Sequence, residues 1–146
     1  MRAYFEIKDG GVVPSAAAVA AVCTYTAPDE AETQQILASL KIDRYDLDSA
    51  LDPDEVSRLE FTPDYTAVIW KQPNKASFEE NLRFDVSSVG LFLHQDRLTI
   101  ITAEKFIPFL AREFQGISSP VDVLLRYFLY TIHHYLSHLK AIKQMT

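Results

Sequence analysis

The densest run of chemistry-bearing side chains lies between residues 43 and 60. There Asp43, Asp46, Asp48, Asp52, Asp54, Glu55 and Glu60 are countered only by Arg44 and Arg58. Clustered carboxylate oxygens suit hard cations such as Mg2+ or Ca2+. The spacing is not that of an EF-hand: after Asp46 and Asp48 the third ligand position holds Ala50, and the obligatory glycine is Leu51. A cage supplied by one chain is therefore not expected. A site shared between subunits through bridging waters stays open, because Mg2+ keeps much of its hydration. The alternative is a solvated helix-and-turn face with capping aspartates.

The histidines are the second candidate set. His134 and His138 stand four residues apart on an expected helix, so their rings share a face and can share a Zn2+. No glutamate accompanies them as on a metalloprotease helix, and a solvent-facing or interface pair is the favoured reading of the spacing. Only four glycines occur, with no phosphate-cradling loop and no Gly-x-Ser-x-Gly elbow. Cys23 sits in an apolar strand and reads as inert packing rather than as a nucleophile. The chain reads as non-enzymatic.

The elements that must position these residues follow from periodicity. Residues 3–7 read as a strand with Gly10-Gly11 as its turn, and 19–25 as a second strand. Thr26-Ala27-Pro28-Asp29 opens a helix whose inward stripe is Ala31, Gln34, Ile36, Leu37 and Leu40. A short helix covers Tyr45 to Leu51 and ends at Asp52-Pro53. Two strands flank Thr62-Pro63-Asp64, the second running from Tyr65 to Trp70, and Gln72 to Asn81 reads as a polar loop. Leu82 to Leu93 and Leu98 to Thr102 read as strands, and 104–115 as a helix closed by Gly116. Ser119 and Pro120 start a long final helix over 119–146, with an apolar stripe of Val121, Leu125, Phe128, Ile132, Tyr135, Leu139 and Ile142. The pattern predicts an α/β (α+β) domain: a mixed, largely antiparallel sheet with helices on both faces.

Composition bounds the rest. A chain of 146 residues, 48% hydrophobic and 23% charged, is a single ordinary globular domain over 1–146. It is long enough to fold without a metal, and its one cysteine excludes a disulfide framework. A net charge of -6 argues against a nucleic-acid partner held by phosphate neutralisation. The longest apolar run, Ala16 to Cys23, is far short of a membrane span and reads as a strand with its lead-in turn rather than a signal core.

Several stretches together resemble the N-terminal cytoplasmic domain of the CorA family of magnesium transporters. They are Thr26-Ala27-Pro28-Asp29-Glu30-Ala31-Glu32, Asp48-Ser49-Ala50-Leu51-Asp52-Pro53-Asp54-Glu55, Arg58-Leu59-Glu60, Val89-Gly90-Leu91-Phe92-Leu93 and Leu98-Thr99-Ile100-Ile101-Thr102. The resemblance runs from about residue 20 to the final helix, Pro120 to Ile142, which is similar to the segment leading into the family's stalk. It departs at Cys23, where many members carry tryptophan, and at Ser49, where a carboxylate often stands. The resemblance implies a regulatory domain on the cytoplasmic side of the membrane, within a pentameric homo-oligomer. Further membrane helices and a Gly-Met-Asn signature are expected beyond Thr146. It further implies Mg2+ as transported and regulatory ion, with Asp48, Asp52, Asp54 and Glu55 as candidate ligands. Two alternatives remain: a zinc-transporting relative using His134 and His138, or a free-standing binding module.

Overall fold

Asp9 and Gly10 both adopt positive φ, 52° and 76°, the pair of conformations that a two-residue type I′ turn demands. That turn folds β1 (Arg2–Lys8) onto β2 (Gly11–Pro14), with Lys8 opposite Gly11. The turn is thus one residue earlier than Gly10-Gly11, and it creates a strand the sequence reading did not anticipate. The structure, a computed structural model, describes residues 1–73, 85–105 and 108–145.

The remaining elements are β3 (Val22–Thr26), α1 (Glu30–Ser39), α2 (Arg44–Leu51), β4 (Arg58–Phe61), β5 (Thr66–Pro73), β6 (Val86–His94), β7 (Arg97–Thr102) and α3 (Pro120–Met145). The seven strands form one sheet in the order β2-β1-β3-β7-β6-β5-β4. β3 and β7 run parallel, with Val22 opposite Leu98, and the other pairings among the described strands are antiparallel. Residues of α1 and α2 pack with Cys23, Tyr25, Ile69 and Phe92 on one face. Residues of α3 pack with Phe5, Val22, Leu91 and Ile100 on the other. The mixed sheet with helices on both faces is therefore observed.

Local chemistry explains the helix starts. Asp29 caps α1 in a capping box with Glu32, and the Asp43 carboxylate accepts from the Tyr45 N–H at the start of α2. Ser119 Oγ accepts from the Asp122 N–H at 3.3 Å, while the Asp122 carboxylate accepts from Ser118. Gly90 lets α2 lie close to the sheet: a Cβ there would come within 2.5 Å of the Ala50 Cβ. α3 is seated by Trp70 Nε1 donating to Thr131 Oγ1 at 2.8 Å and by Tyr127 donating to the buried Gln72 side chain.

Several boundaries differ from the expectation. The described residues of 104–115 form turns and bends, not a helix. Pro108 removes an N–H and crowds the carbonyl four residues earlier, so the segment closes instead through Ala111 N–H to Pro108 O and Phe114 N–H to Ala111 O. The strand expected at 19–25 occupies Val22–Thr26, with a 3-10 turn at Ala17–Val19 before it. Gln72 and Pro73 belong to β5 rather than to a loop, and 74–84 lie outside the described residues. Ala31 and Gln34 are exposed on α1, which buries only Ile36 fully. On α3 the buried residues are Val123, Leu124, Tyr127 and Thr131, whereas Val121, Leu125, Ile132, Leu139 and Ile142 of the expected stripe are exposed. The helix carries two apolar faces, and the sheet takes the one the periodicity did not select.

Candidate functional site

α2 presents its acidic residues to two different environments. Asp46, Leu47, Ser49 and Ala50 point inward, so Asp46 is buried to 1% exposure. Its Oδ1 accepts from Arg58 Nη2 at 2.9 Å and its Oδ2 from the Tyr65 hydroxyl at 2.7 Å. The same hydroxyl accepts from the Asp43 N–H at 3.1 Å. Arg58 also reaches Ser49 Oγ at 3.0 Å, approaches Glu55 Oε1 at 3.4 Å and Glu60 Oε2 at 3.8 Å, and lies over the Tyr45 ring. Burial pushes the Asp46 carboxyl up, but the hydrogen bonds from Tyr65 and Arg58 outweigh it and hold the group below the ordinary carboxylate range. Glu60 moves the opposite way, raised first by its hydrogen bond with Asp46 and then by burial. Burial drives the Tyr65 phenol up to about 12.

The four candidate ligands lie around the outer side of this network. Asp48 is exposed and pairs with Arg44 Nε at 3.2 Å. Asp52 follows the end of α2, and its Oδ1 accepts from the Asp54 N–H at 2.9 Å. Asp54 is exposed, and half-buried Glu55 accepts from Ser49 Oγ at 3.2 Å. Lys71 Nζ, donating to Pro53 O at 2.7 Å and Ser88 Oγ at 2.6 Å, puts a further cation beside this turn. Ser88 Oγ in turn donates to Asp52 O. Among the described residues no three His, Cys, Asp or Glu side chains gather into a metal-holding group. The structure thus leaves Asp48, Asp52 and Asp54 exposed, turns Glu55 toward Ser49 and Arg58, and does not converge the four on a point. The residues it does converge are Asp46, Arg58 and Tyr65. No spacing within the acidic run singled them out, because the partners of Asp46 come from outside α2.

The histidine pair is half-buried rather than open to water, because the inward face of α3 is rotated toward it. The His134 and His138 rings lie 5.0 Å apart edge to face, and His134 Nδ1 is buried with no hydrogen-bond partner among the described residues. Burial, and then His138, lower the His134 pKa. Beside them Glu113, itself buried, meets His133 Nδ1 at 2.7 Å, a pair that sequence spacing gave no reason to expect. The hydrogen bond to His133 is the main cause holding the Glu113 carboxyl down. Cys23 is a buried free thiol pushed up to about 11 by burial, which fits packing.

A third feature is apolar. Between α3 and the β4–β5 end of the sheet runs a hollow of about 380 Å³, walled by Leu59, Val68, Trp70, Leu124 and Phe128. No helix among the described residues is long and apolar enough to cross a membrane.

No family model matches the sequence. No curated protein matches it either. Solved structures share its fold. The full-length CorA magnesium transporter from Methanocaldococcus jannaschii aligns with a TM-score of 0.52 at 20% identity, over 73% of this chain and 33% of that one. The soluble domain of CorA from the same organism aligns with a TM-score of 0.50 at 22% identity, over 72% of this chain and 41% of that one. Full-length CmaX aligns with a TM-score of 0.74 at 12% identity, over 99% of this chain and 49% of that one. This chain therefore spans between a third and a half of the solved chains it matches.

Proposed function

We propose that this chain is a non-enzymatic, cytoplasmic regulatory domain of a CorA-like divalent-cation transporter. In this reading it biases a pore through Mg2+ binding and contacts within a homo-oligomer. The observation that supports it is the likeness of this fold to the CorA soluble domain over 72% of the chain and to CmaX over 99% of it. The acidic surface along α2 and the turn after it supplies the chemistry. Carboxylates facing one another across a subunit boundary repel when empty and are drawn together when a hydrated cation bridges them. A bridged interface shifts an equilibrium by its differential affinity for the two states and by nothing else.

The test is an amide NMR titration of this chain with Mg2+, with sedimentation run in parallel. Mg2+ should move the resonances of Asp48, Asp52, Asp54 and Glu55 and increase the sedimenting mass. Replacing the four by Asn and Gln should abolish both effects. Identical spectra and sedimentation in millimolar Mg2+ and in chelator would refute the proposal. A zinc-transporting relative is the second reading, favoured by the close His134–His138 rings and the unpartnered Nδ1. It requires Zn2+ to move those two rings while leaving the α2 resonances in place.

A further inference from the structure

β4 stands last in the sheet order, so its outer edge meets no strand among the described residues. Which of its peptide groups face outward follows from the turn beyond it. Thr62 N–H donates to Tyr65 O at 2.9 Å, and hydrogen-bonded opposite pairs alternate along an antiparallel ladder. Counting back by twos, Glu60 opposite Ala67 and Arg58 opposite Ile69 are the bonded pairs with β5. The N–H and C=O groups of Leu59 and Phe61 therefore point away from the sheet, as a template for a further strand. The side chains divide by face. Leu59 and Phe61, 59% and 75% exposed, lie on the α3 side with the apolar hollow, whereas Arg58 and Glu60 lie on the α2 side with Asp46.

The sequence Ser57-Arg58-Leu59-Glu60-Phe61 is complementary to itself in one register. An antiparallel copy must set outward-facing groups against outward-facing groups, which leaves four ways to centre the pair. Centred on Arg58 it opposes arginine to arginine, and centred on Glu60 it opposes glutamate to glutamate; like charges directly opposite destabilise a sheet. Centred on Phe61 it brings Pro63, which has no N–H to give, against Leu59. Centred on Leu59 it sets Arg58 against the partner's Glu60 on both sides of the axis. That register also sets Leu59 against the partner's Leu59, and Ser57 against the partner's Phe61. Ser57 lines the mouth of the hollow beside Leu59 and Trp70.

We propose that two copies of this chain pair edge to edge through β4, antiparallel and centred on Leu59, so that each lays its Phe61 over the other's apolar hollow. The outward N–H and C=O groups of Leu59 and Phe61 bond across the axis to the partner's Leu59 and Ser57. The two sheets become one, and the contact is isologous: the same strand serves both sides and closes the pair. The occupant of the hollow is thus an aromatic ring that the structure leaves exposed one strand away, and the opposite charges of Arg58 and the partner's Glu60 fix the register. The contact uses no cation, so it stands apart from the Mg2+-driven association proposed above.

The test is sedimentation of the intact chain in chelator, where a monomer–dimer equilibrium is expected. Leu59→Pro removes an N–H that β5 does not use, and Phe61→Ser trims an exposed ring. Each should raise the dissociation constant at least about tenfold while leaving the circular dichroism spectrum unchanged. The register is read in a dimer of one isotope-labelled and one unlabelled copy, by nuclear Overhauser contacts between Phe61 and Ser57. Within one chain four extended residues hold that pair about 13 Å apart, so the contact can only cross the axis. Exchange at the Leu59 amide should slow as concentration rises, yet stay faster than at Ile100, because the pair parts more often than the sheet unfolds. A monomer at every concentration up to about 1 mM would overturn the proposal. So would a dimer that Phe61→Ser leaves intact, a folded Leu59→Pro protein that still pairs, or cross-axis contacts in another register. A dimer that Leu139→Glu dissolves would move the interface to α3 and overturn it too; should Leu59→Pro fail to fold, Phe61→Ser and the register decide.

Discussion

Asp46 and Asp48 are two positions apart on one short helix, yet they belong to different physical regimes. Asp46 is shut away with Arg58 and Tyr65, whereas Asp48 and its Arg44 partner are each more than half exposed. Removing one member of a buried ion pair strands the other, while an exposed i,i+4 pair contributes little. Asp46→Asn should therefore cost about 2–4 kcal/mol in urea unfolding, and Asp48→Asn no more than about 0.5 kcal/mol. The pH dependence carries opposite signs within the same cluster. Asp46 titrates lower folded than unfolded, so its contribution is complete above the ordinary carboxylate range and is lost as pH falls through the folded value. Glu60 titrates higher folded than unfolded, so stability is lost as pH rises from its ordinary value through the raised one. Stability measured against pH should fall less steeply on acidification in Asp46→Asn, and Glu60→Gln should remove the loss on the rising side. An Asp46→Asn protein with the parent's acid limb would refute this assignment. The acidic run was plain in the sequence as composition, but which of its members turns inward depends on Arg58 of β4 and Tyr65 just before β5, and no local spacing contains that.

At the level of elements, caps and turns were the most legible features because their chemistry is local. Ser119 before Pro120 acts where the sequence placed it, and the helix expected to open at Thr26-Ala27-Pro28-Asp29 does start there, capped by Asp29. The Asp9-Gly10 turn was missed by one residue because its signal is a demand on φ rather than on hydrophobicity. The 104–115 helix failed because apolar residues at helical spacing were weighed above Pro108. The long helix is the instructive case: it has two apolar faces, and periodicity cannot say which one meets the sheet. Gly90 gives the element-scale prediction. Gly90→Ala places a methyl group 2.5 Å from the Ala50 Cβ and 2.6 Å from the Phe92 ring, so α2 must lift from β6. The expected cost is about 1–3 kcal/mol, seen as a lower urea midpoint. An unchanged midpoint would mean that α2 does not rest on the sheet at that point.

For the whole molecule, the one parallel pairing among the described strands joins two antiparallel halves, β2-β1-β3 and β7-β6-β5-β4. Strands buried on both sides open only with global unfolding, whereas edges open locally. Amide exchange should accordingly be slowest at Cys23, Ile100 and Ile101 and fastest in β2 and β4. Protection at Leu59 matching that at Ile100 would contradict this gradient. The fold class was readable as a whole because alternation and capping fix the kinds of element, while strand order came from pairings distant in sequence.

That central seam also governs how the protein is born. β4 to β7 form an antiparallel meander of neighbours, but β3 cannot find its second partner until Leu98 to Thr102 have left the ribosome. Until then Val22 to Thr26 wait with one edge unclosed, so the interval between making β3 and making β7 is when a nascent chain most needs a chaperone's shelter.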